Sequence, residues 1–330
     1  MYKVNIIIPS ITIDSRLIRC LNGIQKLKYK RFFVTLVLEN KKNLHKLKKF
    51  KFSIKTLITQ KINMSDKRNF AAKKFNSDYL AFIDSDASPN KNWLNSALKI
   101  LKSKKIKIIG GPNMPFKNQN LWQKMSYYCK RSFFVTANYN FINYMSKNRY
   151  CEFLHSSNFI INKKIFVSVN GMDKNLYIGE DHDLFFRLKE KIKNLKIYFD
   201  KKVFVNHEDR EFKFFLMQRF CYGLNVFTSK NSPGKRFFSL VPFFSLCIFF
   251  FLLFNLSKLY LIILLVFIVL FSFIIFLDIN RYVKKFTTKI LLIICIYLSN
   301  IFYGFGTISY LLGLRNFIEK KIYRNIKKNK

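Results

Sequence analysis

Two kinds of segment alternate over the first two-thirds of the chain. Val4–Pro9 is a short run, apolar but for Asn5 and rich in β-branched residues, the pattern of a strand covered on both faces of a parallel sheet. Leu17, Ile18, Leu21, Ile24 and Leu27 then recur at helical spacing and predict a helix over 16–28. Phe33–Leu38 reads as a second buried strand running into Glu39-Asn40, Ile54–Ile58 as a third, 66–76 as a helix and Tyr79–Ile83 as the next strand. Ser88-Pro89 predicts a helix start, with Ser as N-cap and Pro at the first helical position, ahead of a buried stripe of Trp93, Leu94, Ala97, Leu98 and Leu101. Strand and helix in alternation predict an α/β domain with a mostly parallel sheet, whose ligands bind beyond the carboxyl ends of the strands.

The last third has a different pattern. Phe237–Ser257 and Leu259–Leu277 are free of charge and separated by the single Lys258, and Ile290–Leu314 is a third charge-free stretch. About 20 apolar residues span a bilayer as a helix, so the first two predict a membrane hairpin, closed by a short turn at Asn255–Lys258. A buried soluble helix is the ordinary competitor, but it would have to be apolar on every side for two spans in succession. The third stretch holds Ser299, Asn300, Gly304, Gly306, Thr307, Ser309 and Gly313. Either it spans, or it breaks near Gly304 and turns back; a re-entrant or interfacial segment is the expectation, since three crossings would strand the basic tail Arg315–Lys330 outside the cell. The organisation expected is a domain over 1–235 and a membrane region over 236–330.

Charge sharpens this picture. Lys and Arg total 59 against 18 Asp and Glu, a net charge of +41. With half the residues hydrophobic and 39 Phe, a disordered polyelectrolyte is excluded. Abundant Lys, Asn, Ile and Phe are also what an AT-rich genome would produce, so codon usage accounts for part of the charge. Six Cys without a CxxC pair or a Cys/His cluster fit reduced thiols and no zinc site. The N-terminal apolar run is too short for a signal peptide, and the basic N-terminal region and the loop Asn280–Phe286 are expected on the cytoplasmic face of an inner-membrane, multi-pass protein. The basic residues lie in dispersed pairs such as Lys41-Lys42 and Lys104-Lys105, with no nucleic-acid-binding motif beside them. Anionic lipid is the simpler partner, and none is expected among nucleic acids.

The few acids mark the candidate chemistry. Asp84-Ser-Asp86 follows the strand Tyr79–Ile83, and in extended geometry its two carboxylates share a face, a way to hold a hard divalent cation such as Mg²⁺ or Mn²⁺. The plainer reading is that Asp86 helps to start the following helix. Gly179-Glu-Asp-His-Asp183 opens a helix with the stripe Leu184, Phe185, Leu188 and Ile192. Acids there complement the helix dipole, yet three in four residues crowd their charges and raise one another's pKa, which suits a proton acceptor. His207, after Val203–Val205, is a third candidate, although a lone His is more often structural. Gln218-Arg219 belongs to a segment read as an amphipathic helix at the bilayer surface.

Over about residues 3–230 the order of these elements resembles the family 2 glycosyltransferases of GT-A fold. Val4-Asn-Ile-Ile-Ile-Pro9 looks like the family's first strand, Val37-Leu-Glu-Asn40 like the end of its second, and Lys67-Arg-Asn69 with Asp78-Tyr-Leu-Ala-Phe-Ile-Asp-Ser-Asp86 like its Arg-Asn segment and metal-binding DxD. Ser157-Asn158 and Val169-Asn-Gly-Met-Asp173 resemble the stretch before the acceptor site, and Gly179-Glu-Asp181 the motif whose second acid is the base. The resemblance implies nucleotide-sugar contacts from Pro9, Glu39, Arg68, Asn69, Asp84 and Ser85, a metal on Asp86 with Asp84 and His207, catalysis by Asp181 with Glu180 orienting the acceptor, and acceptor-side or gating roles for Asn158, Gln218 and Arg219. Glu39-Asn40 runs into Lys41-Lys42 where the family has Asp, Gly and Ser, so the nucleotide stays open. The Gln-x-x-Arg-Trp signature of processive synthases is absent, because Gln218 is followed directly by Arg219.

The expected function is therefore inverting transfer of one sugar from a nucleoside-diphosphate sugar to a hydroxyl of a lipid-linked or glycan acceptor at the membrane. A non-catalytic membrane scaffold that kept the fold is the alternative, with a processive synthase behind it.

Overall fold

In the computed structural model, which describes residues 1–60, 63–136, 147–176, 178–227, 233–254 and 258–319, the run Val4–Pro9 is a strand (β1) with all six residues buried. It pairs in parallel with β2 (Phe32–Leu38) on one side and β4 (Tyr79–Ile83) on the other, and β3 (Ile54–Ile58) extends the sheet beyond β2. Past β4 the direction reverses at β9 (Asn158–Asn162), which lies antiparallel to both β4 and β6 (Ile108–Gly110). β10 (Ile197–Phe199) runs parallel to β6, and β8 (Arg149–Cys151) closes the edge antiparallel to β10. Among the described residues the sheet order is β3-β2-β1-β4-β9-β6-β10-β8. The domain is α/β with a mostly parallel central sheet, as the alternating pattern predicts.

Local chemistry sets the helices. The Asp14 carboxylate accepts from Leu17 N at 3.0 Å and caps α1 (Ser15–Gln25), which buries Leu17, Cys20, Leu21 and Ile24. Asn63 does the same for α2 (Met64–Lys74), accepting from Ser65 N at 2.7 Å. The helix expected at Ser88-Pro89 begins later: α3 is Trp93–Ser103, and Ala87–Pro89 is a strand (β5) instead. β5 pairs antiparallel with β11 (Val205–His207), which also pairs in parallel with β7 (Asn113–Pro115). A ladder partner far away in sequence has overridden a local capping signal, and the predicted stripe from Trp93 to Leu101 is buried all the same. α6 (Lys163–Ser168) follows β9. α7 (Glu180–Lys191) opens after Gly179, whose φ of +79° favours glycine, and ends before Ile192, which is extended rather than on the helical stripe.

The chain divides into two compact units, residues 1–118 with 141–208 and residues 119–140 with 209–330. The second unit gathers α4 (Leu121–Arg131), α5 (Phe133–Thr136), α8 (Phe212–Leu224), α9 (Pro233–Phe254), α10 (Lys258–Asn280) and α11 (Phe286–Leu311). Met125 and Cys129 of α4, Phe212 and Phe215 of α8, Ile275 and Ile279 of α10 and Cys295 and Ile296 of α11 share one core, which is why 119–140 groups with the C-terminal residues. Asp278 accepts from Ser132 Oγ at 2.9 Å and Phe133 N at 3.0 Å, tying α10 to the start of α5. α10 and α11 are long and apolar enough to cross a membrane. α11 does not break at Gly304; the glycine sits in an unbroken helix against Leu246 and Pro242 of α9. Of the turn expected at Asn255–Lys258, residues 255–257 lie outside the described residues, as does the tail beyond 319, and Lys258 is the first residue of α10.

Candidate active site

The carboxyl ends of β1, β2 and β4 bring Ser10, Glu39 and Asp84 to one edge of the sheet, and α2 faces them. Lys67, buried completely, donates from Nζ to the Ser10 carbonyl at 2.8 Å and to Glu39 Oε1 at 2.7 Å. Burial pushes this ammonium down from its ordinary pKa, and the Glu39 carboxylate opposes that shift. Lys67 thus ties the ends of β1 and β2 together, and it places the acid expected to contact the nucleotide. Pro9 is the buried last residue of β1 beside it.

Arg68, the next residue, carries the arrangement further. It is 3% exposed, and its guanidinium donates from Nη2 to Asp84 Oδ1 at 2.8 Å and from Nη1 to Glu180 Oε1 at 3.3 Å. One planar cation therefore joins the acids at the end of β4 to those at the start of α7, a geometry the guanidinium fork suits. The two acidic motifs, distant in sequence, meet at one place.

Asp84, Asp86 and His207 each offer one ligand atom, and the three atoms lie within 4.8 Å of one another. The β5–β11 pairing brings them together, setting His207 opposite Ala87, the residue after Asp86. Asp86 Oδ1 is buried and has no hydrogen-bond partner, although His207 Nε2 lies 3.3 Å away. A buried carboxylate oxygen without a hydrogen bond, facing an imidazole nitrogen, fits a cation between them. Two carboxylates and an imidazole form a donor set for a divalent ion of the Mn²⁺ or Mg²⁺ kind. Ser85 sits between the two acids, partly exposed. Glu208 pairs with Arg19 and donates its backbone N–H to the Asp86 carbonyl at 3.2 Å, which holds the His207 segment in place.

At the start of α7 two adjacent carboxyls differ in environment. Asp181 accepts from His182 N at 2.9 Å through Oδ1 and from Ser156 N at 3.3 Å through Oδ2, and His155 Nδ1 lies 3.6 Å from Oδ2. Burial by itself would raise its pKa; the hydrogen bond from His155 and the nearby imidazoles outweigh it and hold this carboxyl well below the usual range. Glu180 accepts from Arg68 and from Ser156 Oγ, the latter at 3.3 Å. Burial, then the charge of Asp181, pushes Glu180 up to about 7. Near neutrality Asp181 is ionised, while Glu180 holds a proton for part of the time. Asp183 serves a different purpose: it accepts from Arg187 Nε at 2.7 Å, and Arg187 donates to the carbonyls of Val169 and Gly171, fastening α7 to that turn.

Other candidates are placed elsewhere. Asn69 gives both amide atoms to the Met172 backbone, at 2.6 and 2.9 Å, beside Gly171 at φ +73°. Asn158, 1% exposed, accepts from Trp93 Nε1 at 2.9 Å and donates to the carbonyls of Gly111 and Val203, knitting strand ends together. Gln218 and Arg219 lie on α8 in the other compact unit. There Gln218 bonds Tyr222 Oη at 3.0 Å, and Arg219 is buried 4.6 Å from the Tyr303 ring centre. Sequence reasoning assigned no role to Lys67, His155 or Ser156. A lysine inside a basic chain and a lone His-Ser pair carry no local signal; only their partners mark them.

An α/β sheet with an acidic cluster beyond its carboxyl edge fits the GT-A fold. The chain belongs to the glycosyltransferase-like family 2, whose family model matches residues 25–227. Among solved structures, mannosyltransferase PcManGT from Pyrobaculum calidifontis, in complex with GDP-Man and Mn²⁺, is similar at 10% identity and a TM-score of 0.64, over 94% of this chain and 87% of that one. S. aureus TarS is similar at 14% identity and a TM-score of 0.46, where 71% of this chain spans 41% of the TarS chain; for TarS 1–349 the coverage is 94% and 92%, with a TM-score of 0.48. No protein of curated function matches the chain in sequence.

Proposed function

We propose that the protein transfers a single sugar, with inversion, from a nucleoside-diphosphate sugar to a hydroxyl of a membrane-associated acceptor. The observation that carries this reading is the Arg68 guanidinium, bonded at once to Asp84 of the cation cluster and to Glu180 of the acid pair. This contact supports a departing diphosphate held next to an activated hydroxyl. PcManGT, similar in fold, is a complex with GDP-Man and Mn²⁺, which supports a sugar nucleotide and a divalent ion here.

Asp84, Asp86 and His207 would hold the ion, which when bound neutralises charge on the diphosphate leaving group. Glu39, held by Lys67, and Arg68 bind the nucleotide side of the donor. Asp181, ionised, takes the proton of the acceptor hydroxyl as that oxygen attacks the anomeric carbon from the face opposite the diphosphate. Glu180 orients the acceptor. The apolar α10 and α11, with the basic residues Arg281, Lys284 and Lys285 between them, support membrane association with the catalytic domain on the cytoplasmic face, where a lipid-linked acceptor would be concentrated.

The test is a panel of sugar nucleotides with Mn²⁺ and native lipid extract, scored for release of nucleoside diphosphate. One donor is expected to turn over. Asp181→Asn is expected to lower turnover by about 10²–10⁴-fold while nucleotide binding holds, the contribution of a general base. Full turnover in that variant rejects the base, and no release from any donor rejects sugar transfer.

A further inference from the structure

We infer that His155 is a positioning residue that fixes Asp181 in one orientation and leaves Oδ1 as the atom that receives the acceptor's proton. The inference rests on the sugar-transfer reading for its chemistry, and on the geometry around Asp181 for its substance.

A carboxylate offers about four lone-pair sites, two on each oxygen. On Asp181, Oδ2 faces two donors: Ser156 N at 3.3 Å and His155 Nδ1 at 3.6 Å. Oδ1 faces the His182 backbone N–H at 2.9 Å. With two donors directed at Oδ2 and one at Oδ1, the less engaged oxygen is Oδ1. The balanced step follows: the acceptor O–H bond breaks and its proton goes to Oδ1. The acceptor oxygen forms a bond to the anomeric carbon, and the carbon–oxygen bond to the diphosphate breaks with its electron pair on the leaving group.

The tautomer of His155 follows from its other nitrogen. Nε2 is buried and has no hydrogen-bond partner. A proton there would leave a buried N–H with nothing to accept it, which is unfavourable. The geometry therefore puts a proton on Nδ1, directed at Asp181. Phe153 fixes the plane of this arrangement, with its ring centre 5.6 Å from His155 edge-on and 3.8 Å from His182. The charged and titratable groups that face the pair are Glu180 and His182 on α7, with Arg68 on α2 behind Glu180. Burial pushes the His182 imidazole down from its ordinary pKa, and the Asp181 charge opposes that shift. Among these groups Asp181 is the acceptor within reach of Nδ1.

The full-length protein, labelled with ¹⁵N-histidine, provides the first test. It has four imidazoles, and the one that disappears in His155→Asn is expected to carry its proton on Nδ1 and to lose that preference in Asp181→Ala. An Nε2–H tautomer at 155, or no change on removing Asp181, overturns the inference. The second test is kinetic. His155→Phe is expected to lower kcat by about 10–100-fold, part of what a whole base contributes, at unchanged donor KM. It should also move the acid limb of the pH–rate profile up by about one unit, because the carboxylate loses a donor. His155→Asn, whose amide stands near the place of Nδ1, should recover most of both. An unmoved limb in His155→Phe, or equal loss in the two variants, assigns His155 a packing role and overturns the proposal. If the wild type releases no nucleoside diphosphate from any donor, sugar transfer fails, and the tautomer spectra still decide His155.

Discussion

Arg68 donates to Glu180 at 3.3 Å while the same guanidinium holds Asp84 at 2.8 Å. Two acidic segments that are far apart along the chain thereby share one buried cation. Removing it leaves two carboxyls facing each other without compensation. Arg68→Ala is expected to destabilise the catalytic unit by about 3–5 kcal/mol, the usual effect of removing one partner of a buried ion pair. Urea unfolding of the purified protein measures this, and Arg68→Lys should fall between the two, since a point charge cannot serve both acids as a fork does.

The cation cluster makes a prediction independent of turnover. Asp86→Ala should weaken Mn²⁺ binding by at least about 100-fold and His207→Ala by about 10-fold, as followed by Mn²⁺ electron paramagnetic resonance on the whole protein. Mn²⁺ binding that is indifferent to both substitutions would place the ion elsewhere.

Glu180 predicts a pH-dependent stability. Its carboxyl titrates near 4.3 in an unfolded chain and is pushed up to about 7 in the folded one. Between these values the folded state binds more protons than the unfolded state, so this group's contribution to stability declines as pH rises from about 4.5 to about 7, then levels off. Glu180→Gln removes the titration. Its melting temperature should match the wild type near pH 5 and exceed it at pH 8; parallel curves for the two proteins across this range would contradict the raised pKa. Asp181, shifted the other way, loses its contribution only in strong acid and stays outside this window.

In the second unit α8 and α11 approach at backbone distance. A Cβ on Gly223 would fall 1.9 Å from the Tyr303 carbonyl oxygen, and one on Gly306 would fall 2.0 Å from the Phe220 carbonyl oxygen. Gly223→Val should separate the two helices and expose Cys295, 1% exposed in the native protein, to maleimide within minutes. A labelling rate equal to that of the wild type would show that the contact yields without opening the core.

The strands were legible because each is a short run rich in apolar and β-branched residues, and β1 to β4 lie within a residue or so of where that pattern puts them. The acids of the candidate site were legible for a different reason. In so basic a chain, Asp84, Asp86, Glu180 and Asp181 stand out by charge alone. Ser88-Pro89 misled because a capping signal is local and worth about a kilocalorie, whereas pairing with β11 satisfies a whole ladder. Gly304 misled because a glycine that reads as a helix break is here a point of close packing. Asn158 and Asn69, both motif residues, spend their amides on backbone groups, which no spacing rule reveals.

Periodicity and charge, both properties of neighbours along the chain, determined the α/β domain, the apolar C-terminal helices and the identity of the acids. Which of those acids meet was decided by the tertiary structure. Arg68 joins Glu180 to Asp84, His207 reaches Asp86 through a strand pairing, and His155 engages Asp181. Each of these contacts closes a long loop, and closure depends on how the sheet is ordered in space rather than on any pattern a short window of sequence can hold.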